Sequence, residues 1–289
     1  MKARHIASLT SLALLSAMVA PHSLQAAEVP PIGGGYTNII PIPVNDPAVK
    51  EIAGALLKPQ GVGPFPVVVY IPPCGGPNFP LELQQEKLWI ERLEFKGIAT
   101  FIVDPFVPRG LQQGNCDKLL TVLTDVQNKN EAVLQILKQG SNDAVAAVKV
   151  VKAVPDIDPK KVFLMGFSYG ATATLSATNP KAPGEYDTDI AGVVAYYPLC
   201  DQNFEASVPT LILIGDKDDW TGPVASCEAL KDKNNYEVAV YPGATHAFTL
   251  QFEKPFELAG HQLAYDEASA KQAAQRAEAF IDAQLKGGQ

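Results

Sequence analysis

A serine flanked by glycines, in the run Gly166–Gly170 (Gly-Phe-Ser-Tyr-Gly), constrains the fold of this chain more than any other feature. The run follows an apolar stretch at residues 162–165 and precedes a helical pattern of small residues that begins at Ala171. A strand that turns at once into a helix strains the turning residue, so the positions two before and two after it must lack side chains. The spacing therefore predicts that Ser168 lies at a sharp turn, a nucleophile elbow, above the edge of a sheet.

Apolar runs typical of buried strands recur along the chain, and helical patterns separate most of them. The runs lie at residues 52–57, 66–71, 98–103, 162–165, 190–196, 210–214 and 236–241. An edge strand near residues 36–40 is also predicted, with helices over 81–96, 117–139, 143–153 and 264–285. Alternating strands and helices predict an α/β fold, with a mostly parallel sheet and helices on both faces. In such sheets the active site lies beyond the carboxyl ends of the strands.

The N-terminus has the pattern of a secretory signal peptide. Positive charge precedes an apolar run at residues 6–20, and small residues follow up to Ala27. Pro21 ends the apolar run too early for a membrane anchor. We therefore expect residues 1–26 to be removed on export and residues 27–289 to form a single catalytic domain, in the periplasm or outside the cell.

The charge balance restricts the class of partner. The chain has 23 Lys and Arg against 31 Asp and Glu, with a net charge of -8. Nucleic acids and anionic membrane surfaces bind basic patches, so we expect neither as a partner. The cysteines and histidines are not spaced closely enough to predict a zinc site. We expect no metal and no cofactor.

Ser168 needs a base, because a serine hydroxyl is a poor nucleophile until its proton is accepted. Beyond the predicted signal peptide the chain has two histidines, His246 and His261. His246 follows the last predicted strand, where the base is expected in a fold of this kind. His261 lies near the start of the terminal helix, where a capping or exposed role is the alternative.

The base in turn needs a carboxylate that fixes its tautomer. Three aspartates occupy the loop after the preceding strand, namely Asp216, Asp218 and Asp219. Asp218 is favoured because it stands three residues beyond Gly215, at the usual reach for a side chain that turns back toward the base. The other two stay open, with turn capping as their structural role.

Two backbone N–H donors are expected to stabilise an oxyanion. One is Tyr169, the residue after Ser168. The other should come from the turn after the strand at residues 66–71, which begins with two prolines that have no N–H. Cys74 is therefore the first available donor in that turn.

Four cysteines follow the predicted signal peptide, and an even count in an exported chain suggests disulfides. Cys200 and Cys227 follow two neighbouring strands, so both should lie at one edge of the sheet. Cys74 and Cys116 likewise follow two strands that are consecutive in sequence. We predict these two pairs, with four small buried thiols as the alternative.

Five motifs together resemble the dienelactone hydrolase family of α/β-hydrolases. In chain order they are residues 74–78 (CGGPN), 104–106 with 108–110 (DPF and PRG), 166–170 (GFSYG), 215–220 (GDKDDW) and 241–248 (YPGATHAF). The resemblance covers residues 50–285 and implies an α/β-hydrolase fold and cofactor-free hydrolysis of esters or lactones. It further implies Ser168 as nucleophile, Asp218 as acid and His246 as base.

The chain departs from the family pattern in two places. Dienelactone hydrolases proper use a cysteine nucleophile where this chain has Ser168, and they have an acidic residue where this chain has Pro72 and Pro73. Arg109 falls near an arginine that pairs with a substrate carboxylate in the family, which implies the same role here. A solvated surface arginine is the alternative.

The leading hypothesis is a secreted serine hydrolase that cleaves small carboxylic esters or lactones through an acyl-enzyme on Ser168. A serine peptidase or a polysaccharide acyl-esterase would use the same three residues. A periplasmic binding protein without turnover is the alternative from another class.

Overall fold

The computed structural model describes residues 32–287, except 77, 113, 115 and 117–130. The predicted signal peptide therefore lies outside the described residues, as does the first part of the helix predicted over residues 117–139. None of the helices within the described ranges is long and apolar enough to cross a membrane.

An eight-stranded sheet forms the centre of the molecule, and its strands run in the order β1-β2-β4-β3-β5-β6-β7-β8. The strands are β1 (Ile39–Pro43), β2 (Glu51–Leu57), β3 (Phe65–Ile71), β4 (Ala99–Asp104), β5 (Ile157–Phe167), β6 (Gly192–Tyr196), β7 (Thr210–Gly215) and β8 (Tyr236–Tyr241). Strands β1 and β2 pair antiparallel to their neighbours. Strands β3 to β8 are all parallel to one another. The predicted mostly parallel sheet is confirmed.

Helices cover both faces of this sheet, as the sequence predicts. They are α1 (Pro80–Phe95), α2 (Glu131–Lys152), α3 (Tyr169–Ser176), α4 (Val224–Glu228) and α5 (Glu267–Gly287). Trp89 of α1 and Phe280 of α5 pack in the core on one face, and Val148 of α2 and Leu175 of α3 pack in the core on the other. Because both faces are covered, the central strands are apolar along almost their whole length.

Helix α2 is continuous from Glu131 to Lys152, whereas the sequence predicts two helices with a break before residue 143. Gly140 lies in the gap between the two predicted helices. In the structure a Cβ atom at this position would lie 2.9 Å from Oη of Tyr169 and 3.0 Å from Cβ of Ala173. Gly140 therefore permits a close approach of α2 to α3.

Helix α1 buries only part of the apolar set within residues 81–96, because Leu93 is fully buried while other apolar side chains face outward. Leu88 and Phe95 are 40% and 93% exposed, while Glu82, Glu86 and Trp89 are buried. Glu86 lies four residues after Glu82, and Trp89 lies three residues after Glu86, so the three side chains share one side of the helix.

The chain also forms a short hairpin of β9 (Phe256–Leu258) and β10 (His261–Leu263), which the sequence does not predict.

The parallel strands bring four loops to one edge of the sheet. The loop after β3 carries Cys74, the turn after β5 carries Ser168, the loop after β7 carries Asp218 and the loop after β8 carries His246. Parallel strands end at the same edge, so residues far apart in sequence converge there.

Candidate active site

Ser168 occupies a strained turn between β5 and α3, with φ of 50° and ψ of -114°. A Cβ atom on Gly166 would lie 2.2 Å from the carbonyl oxygen of Gly170, and one on Gly170 would lie 2.2 Å from that of Ile71. Both glycines are therefore required by close backbone contacts. The N–H of Ser168 donates a 2.9 Å hydrogen bond to the carbonyl oxygen of Tyr196, which holds the strained residue in place. A positive φ outside glycine costs about 1–3 kcal/mol, and such strain often occurs at functional sites.

The structure brings Ser168, His246 and Asp218 into one chain of hydrogen bonds. Nε2 of His246 lies 2.9 Å from Oγ of Ser168, and Nδ1 lies 2.9 Å from Oδ2 of Asp218. All three side chains are buried. A carboxylate has no proton to donate, so Asp218 accepts a hydrogen bond from Nδ1–H of His246. The unprotonated Nε2 then faces the serine hydroxyl. In this tautomer His246 can accept the proton of Ser168.

The carboxylate of Asp218 is itself held by backbone donors. Its Oδ1 accepts hydrogen bonds from the N–H of Trp220 at 3.1 Å and of Thr221 at 3.4 Å. The Oγ1 of Thr221 also lies 3.4 Å from this oxygen. One oxygen of Asp218 therefore fixes the loop while the other faces His246.

The other two aspartates of this loop have different partners. Asp216 accepts a 2.6 Å hydrogen bond from the N–H of Gly243, which joins the loops after β7 and β8. Asp219 lies 3.1 Å from Nδ1 of His261, although this contact lacks hydrogen-bond geometry. Neither aspartate contacts His246, so the geometry favours Asp218 among the three predicted candidates.

Both predicted oxyanion donors lie beside Ser168. Tyr169 is the first residue of α3, and Cys74 lines the cavity that contains Ser168. Among the hydrogen bonds between described residues, none uses the N–H of Cys74 or of Tyr169. The turn at Cys74 is closed by a 3.2 Å hydrogen bond from the N–H of Gly76 to the carbonyl oxygen of Pro73.

Two disulfides hold the loops around this site, and they are the pairs expected from the strand order. Cys74 is bonded to Cys116 with a Cα distance of 4.9 Å, and both residues line the cavity. Cys200 is bonded to Cys227 with a Cα distance of 5.1 Å, which joins the loop after β6 to α4. Bridges that close loops of this length typically stabilise a fold by about 2–4 kcal/mol.

The cavity above Ser168 has a volume of about 240 Å³ and a largely apolar wall. Its apolar side chains include Phe79, Leu250, Phe252, Phe256, Leu258 and Leu263. Among the described residues that line it, none is lysine or arginine, and Glu82 carries the one carboxyl group. The described residues contain no cluster of three His, Cys, Asp or Glu side chains that could hold a metal ion.

Two aromatic side chains enclose His246, and their roles were missed at the sequence level. Trp220 stacks on the imidazole with ring centroids 5.5 Å apart and planes 16° apart. Tyr197 contacts the imidazole edge-on at 4.9 Å, and its positive φ of 42° marks a second strained residue at this edge. The face of an indole attracts a cation, so Trp220 can stabilise an imidazolium by about 0.5–2 kcal/mol. A tryptophan two residues after Asp218 was the signal available in the sequence.

Arg109 lies away from the cavity and its guanidinium is occupied by protein acceptors. Nη1 and Nη2 form a bidentate pair with Asp143 at 2.9 Å, Nε lies 2.8 Å from Asp46, and Nη1 donates to the carbonyl oxygen of Pro105 at 2.6 Å. The side chain is 7% exposed. This placement argues against the contact with a substrate carboxylate that the family resemblance implies. The partners lie 63 and 34 residues away in sequence, so no local pattern indicates them.

Arg109→Met is expected to lower the free energy of unfolding by about 3–5 kcal/mol, because two buried carboxylates would lose their cation. Burial raises the pKa of Asp143 to about 6 even beside Arg109. Urea unfolding measures the loss, and Arg109→Lys, which keeps the charge but not the bidentate pair, is the matched control. Activity per folded molecule should change equally on neutral and anionic esters. A loss confined to anionic esters would restore the substrate-binding role.

The strand order, together with a serine at a strained turn between strand and helix, defines an α/β-hydrolase. Residues 52–285 match the dienelactone hydrolase family, so the chain belongs to that family and is a hydrolase of a family that acts on esters and lactones. It is 23% identical over 260 residues to a Synechocystis sp. protein provisionally named carboxymethylenebutenolidase, covering 86% of this chain and 98% of that protein.

Solved structures that share this fold include a dienelactone hydrolase and a thermophilic esterase. The dienelactone hydrolase of Anabaena variabilis is 20% identical, with a TM-score of 0.54 over 84% of this chain and 96% of that chain. A thermophilic esterase of Thermogutta terrifontis, solved with bound propionate, is 15% identical, with a TM-score of 0.55 over 86% of this chain and 94% of that chain. At these identities the likeness concerns the fold alone.

Proposed function

We propose that this protein is a serine esterase that cleaves small, uncharged carboxylic esters or lactones through an acyl-enzyme on Ser168. The observation that carries the proposal is the hydrogen-bonded chain of Ser168, His246 and Asp218, which opens into an apolar cavity. A buried serine that shares its proton with a buried imidazole is the arrangement that acyl transfer needs.

In the proposed reaction His246 accepts the hydroxyl proton through Nε2 while Oγ of Ser168 bonds to the ester carbonyl carbon. The N–H groups of Cys74 and Tyr169 stabilise the oxyanion, supported by the dipole of α3. The imidazolium then donates its proton to the leaving alkoxide, which leaves the acyl group on Ser168. Water, deprotonated by His246, then bonds to the acyl carbon, and the imidazolium returns the proton to Oγ of Ser168 as the bond between Oγ and the acyl carbon breaks and the acid leaves. Asp218 stabilises the imidazolium in both steps.

The wall of the cavity supports an uncharged, apolar substrate. A carboxylate in this space would lose its hydration without gaining a lysine or arginine from the described lining residues. The buried carboxyl group of Glu82 offers it no compensating charge. The proposal therefore keeps the ester or lactone chemistry of the family and departs from recognition of a substrate carboxylate.

The sharpest test compares two esters of equal length, p-nitrophenyl butyrate and p-nitrophenyl hemisuccinate, which differ in a terminal carboxylate. Burying the carboxylate of the hemisuccinate without a counter-charge should cost about 1.4–2.7 kcal/mol. We therefore expect kcat/KM to be about 10- to 100-fold lower for the hemisuccinate. Release of nitrophenolate measures both. Equal rates, or a preference for the hemisuccinate, would contradict the proposed substrate class.

A fluorophosphonate probe separates the esterase from the binding protein of the same fold. Labelling of Ser168 in the folded protein is expected, and its absence would favour binding without turnover. The peptidase alternative predicts hydrolysis of p-nitroanilides at rates comparable to those of the esters.

We also propose export to the periplasm or the exterior. The pattern of residues 1–26 supports this location, as do the two disulfides, since such bridges persist mainly in oxidising compartments. N-terminal sequencing of protein purified from its native host tests the proposal, because an intact N-terminus would contradict it.

A further inference from the structure

Glu82 is a buried acid in the wall of the cavity that contains Ser168, and no step of the proposed reaction uses it. It lies in the first turn of α1 and is 7% exposed. Its Oε1 accepts a 3.2 Å hydrogen bond from the N–H of Gly75, next to the proposed oxyanion donor Cys74. Its Oε2 has no hydrogen-bond partner among the described residues.

The contact between Glu82 and the oxyanion turn is close. A Cβ atom on Gly75 would lie 2.6 Å from Oε1 and 2.8 Å from Oε2 of Glu82, so only glycine permits this approach. Cys74 is tied on its other side by the disulfide to Cys116. The position of the Cys74 N–H therefore depends on a bridge at one side and on the carboxyl group of Glu82 at the other.

The surroundings of Glu82 favour its uncharged form. Burial raises the pKa of Glu82 to about 8; the N–H groups of Gly75 and Gly76 oppose this shift, and the nearby carboxyl group of Glu86 on the same helix adds to it. Tyr70 of β3 and Tyr197 after β6 also face this region, and burial raises the pKa of both phenols above the ordinary value. His246 lines the same cavity. Within the described residues of this wall, none supplies a lysine or arginine that would stabilise a carboxylate.

We infer that Glu82 is a positioning residue of the proposed esterase site, whose protonated carboxyl group holds the Cys74 turn in place for oxyanion binding. The inference rests on the proposed function. An uncharged acid accepts the Gly75 N–H without adding negative charge beside the developing oxyanion. The ionised form keeps the hydrogen bond but places a buried, unpaired charge next to that oxyanion, which opposes the reaction.

The inference predicts an alkaline limit to activity. In the wild type, kcat should fall as pH increases through about 8, where Glu82 ionises. Glu82→Gln retains an acceptor for Gly75 and cannot ionise, so its kcat should stay within about threefold of the wild type at neutral pH and lose the alkaline fall. Glu82→Met, which leaves the N–H of Gly75 without an acceptor, should lower kcat more than tenfold at every pH with little change in KM.

Glu86→Gln is the matched control. Glu86 lies one turn along α1, is buried, and is hydrogen-bonded to Oη of Tyr36. It does not line the cavity in the described chain. The variant should keep the alkaline fall and move it to lower pH, because removing the nearby negative charge makes Glu82 easier to ionise.

A second measurement tests the protonation of Glu82 without reference to activity. The folded state holds the proton up to pH of about 8 and the unfolded chain releases it near the ordinary value of 4.5. The free energy of unfolding of the wild type should therefore fall, relative to Glu82→Gln, as pH rises between those values. Urea unfolding at pH 5, 6, 7 and 8 measures the difference.

The outcomes separate the two proposals. Failure of the fluorophosphonate probe to label wild-type Ser168 would remove the proposed function, while the unfolding series would still report the state of Glu82. An unfolding difference that does not change with pH, an alkaline fall that persists in Glu82→Gln, or a fully active Glu82→Met would each overturn the inference about Glu82.

Discussion

Ser168→Ala is expected to lower kcat/KM for p-nitrophenyl esters by about 10⁴- to 10⁶-fold while the protein stays folded. Among the described residues, Ser168 supplies the only hydroxyl group that is hydrogen-bonded to the imidazole of His246, at 2.9 Å. Alanine tolerates the positive φ at this position no better and no worse than serine does, so the strained turn should persist. Nitrophenolate release and thermal unfolding measure the two parts of the result.

Ser176→Ala is the matched control for this change. Ser176 is a buried serine of the same helix α3, and its Oγ has no hydrogen-bond partner among the described residues. Its replacement should leave kcat/KM unchanged and the fold intact. His246→Ala should match the loss of Ser168→Ala, and the double variant should be no worse than either single variant, because the groups act as a unit. Independent, multiplying losses would contradict the assignment.

Asp218→Asn is the second large change, with an expected loss of about 10⁴-fold in kcat. An amide can donate to Nδ1, which would favour the tautomer with the proton on Nε2. That tautomer cannot accept the proton of Ser168. The neutral amide also stabilises an imidazolium less than a carboxylate does. Release of nitrophenolate from the p-nitrophenyl esters measures the loss.

The neighbouring Asp219→Asn separates this role from a general effect of charge in the loop. It removes the same negative charge one residue further on, and Asp219 contacts His261 and not His246. Its kcat should stay within about threefold of the wild type, since exposed ion pairs contribute little. Equal losses in the two variants would show that His246 takes its orientation from elsewhere in the loop.

These expectations combine local patterns with contacts that join distant segments. The role of the two glycines around Ser168 can be predicted from the sequence, because the turn from strand to helix is a local constraint on the backbone. The strands can be predicted for a similar reason, since a strand buried on both faces is apolar along its length. The cysteine pairs followed from strand order, because parallel strands deliver their following loops to one edge.

Other assignments needed the register of the sheet and the packing of the helices. Spacing in the loop after β7 favours Asp218 but leaves Asp216 and Asp219 open, and only the loop after β8 places His246 against Asp218 and Gly243 beside Asp216. Arg109 matched a family position in sequence, yet its guanidinium pairs with Asp46 and Asp143. Those partners become neighbours only when α2, which carries Asp143, and the β1–β2 loop, which carries Asp46, pack beside the loop after β4.

By itself, the sequence determined the fold class, the elbow at Ser168, the base His246 and the two cysteine pairs as expectations, because each depends on residue types at short spacing or on strand order. The tertiary structure alone decided the partner of each aspartate, the burial of Arg109, and the position of Glu82 and Trp220 at the cavity. Glu82 shows the reason most directly. Its helix exposes Leu88 and Phe95 and buries two acids beside Trp89, since the face that packs inward depends on what the rest of the fold presents to it.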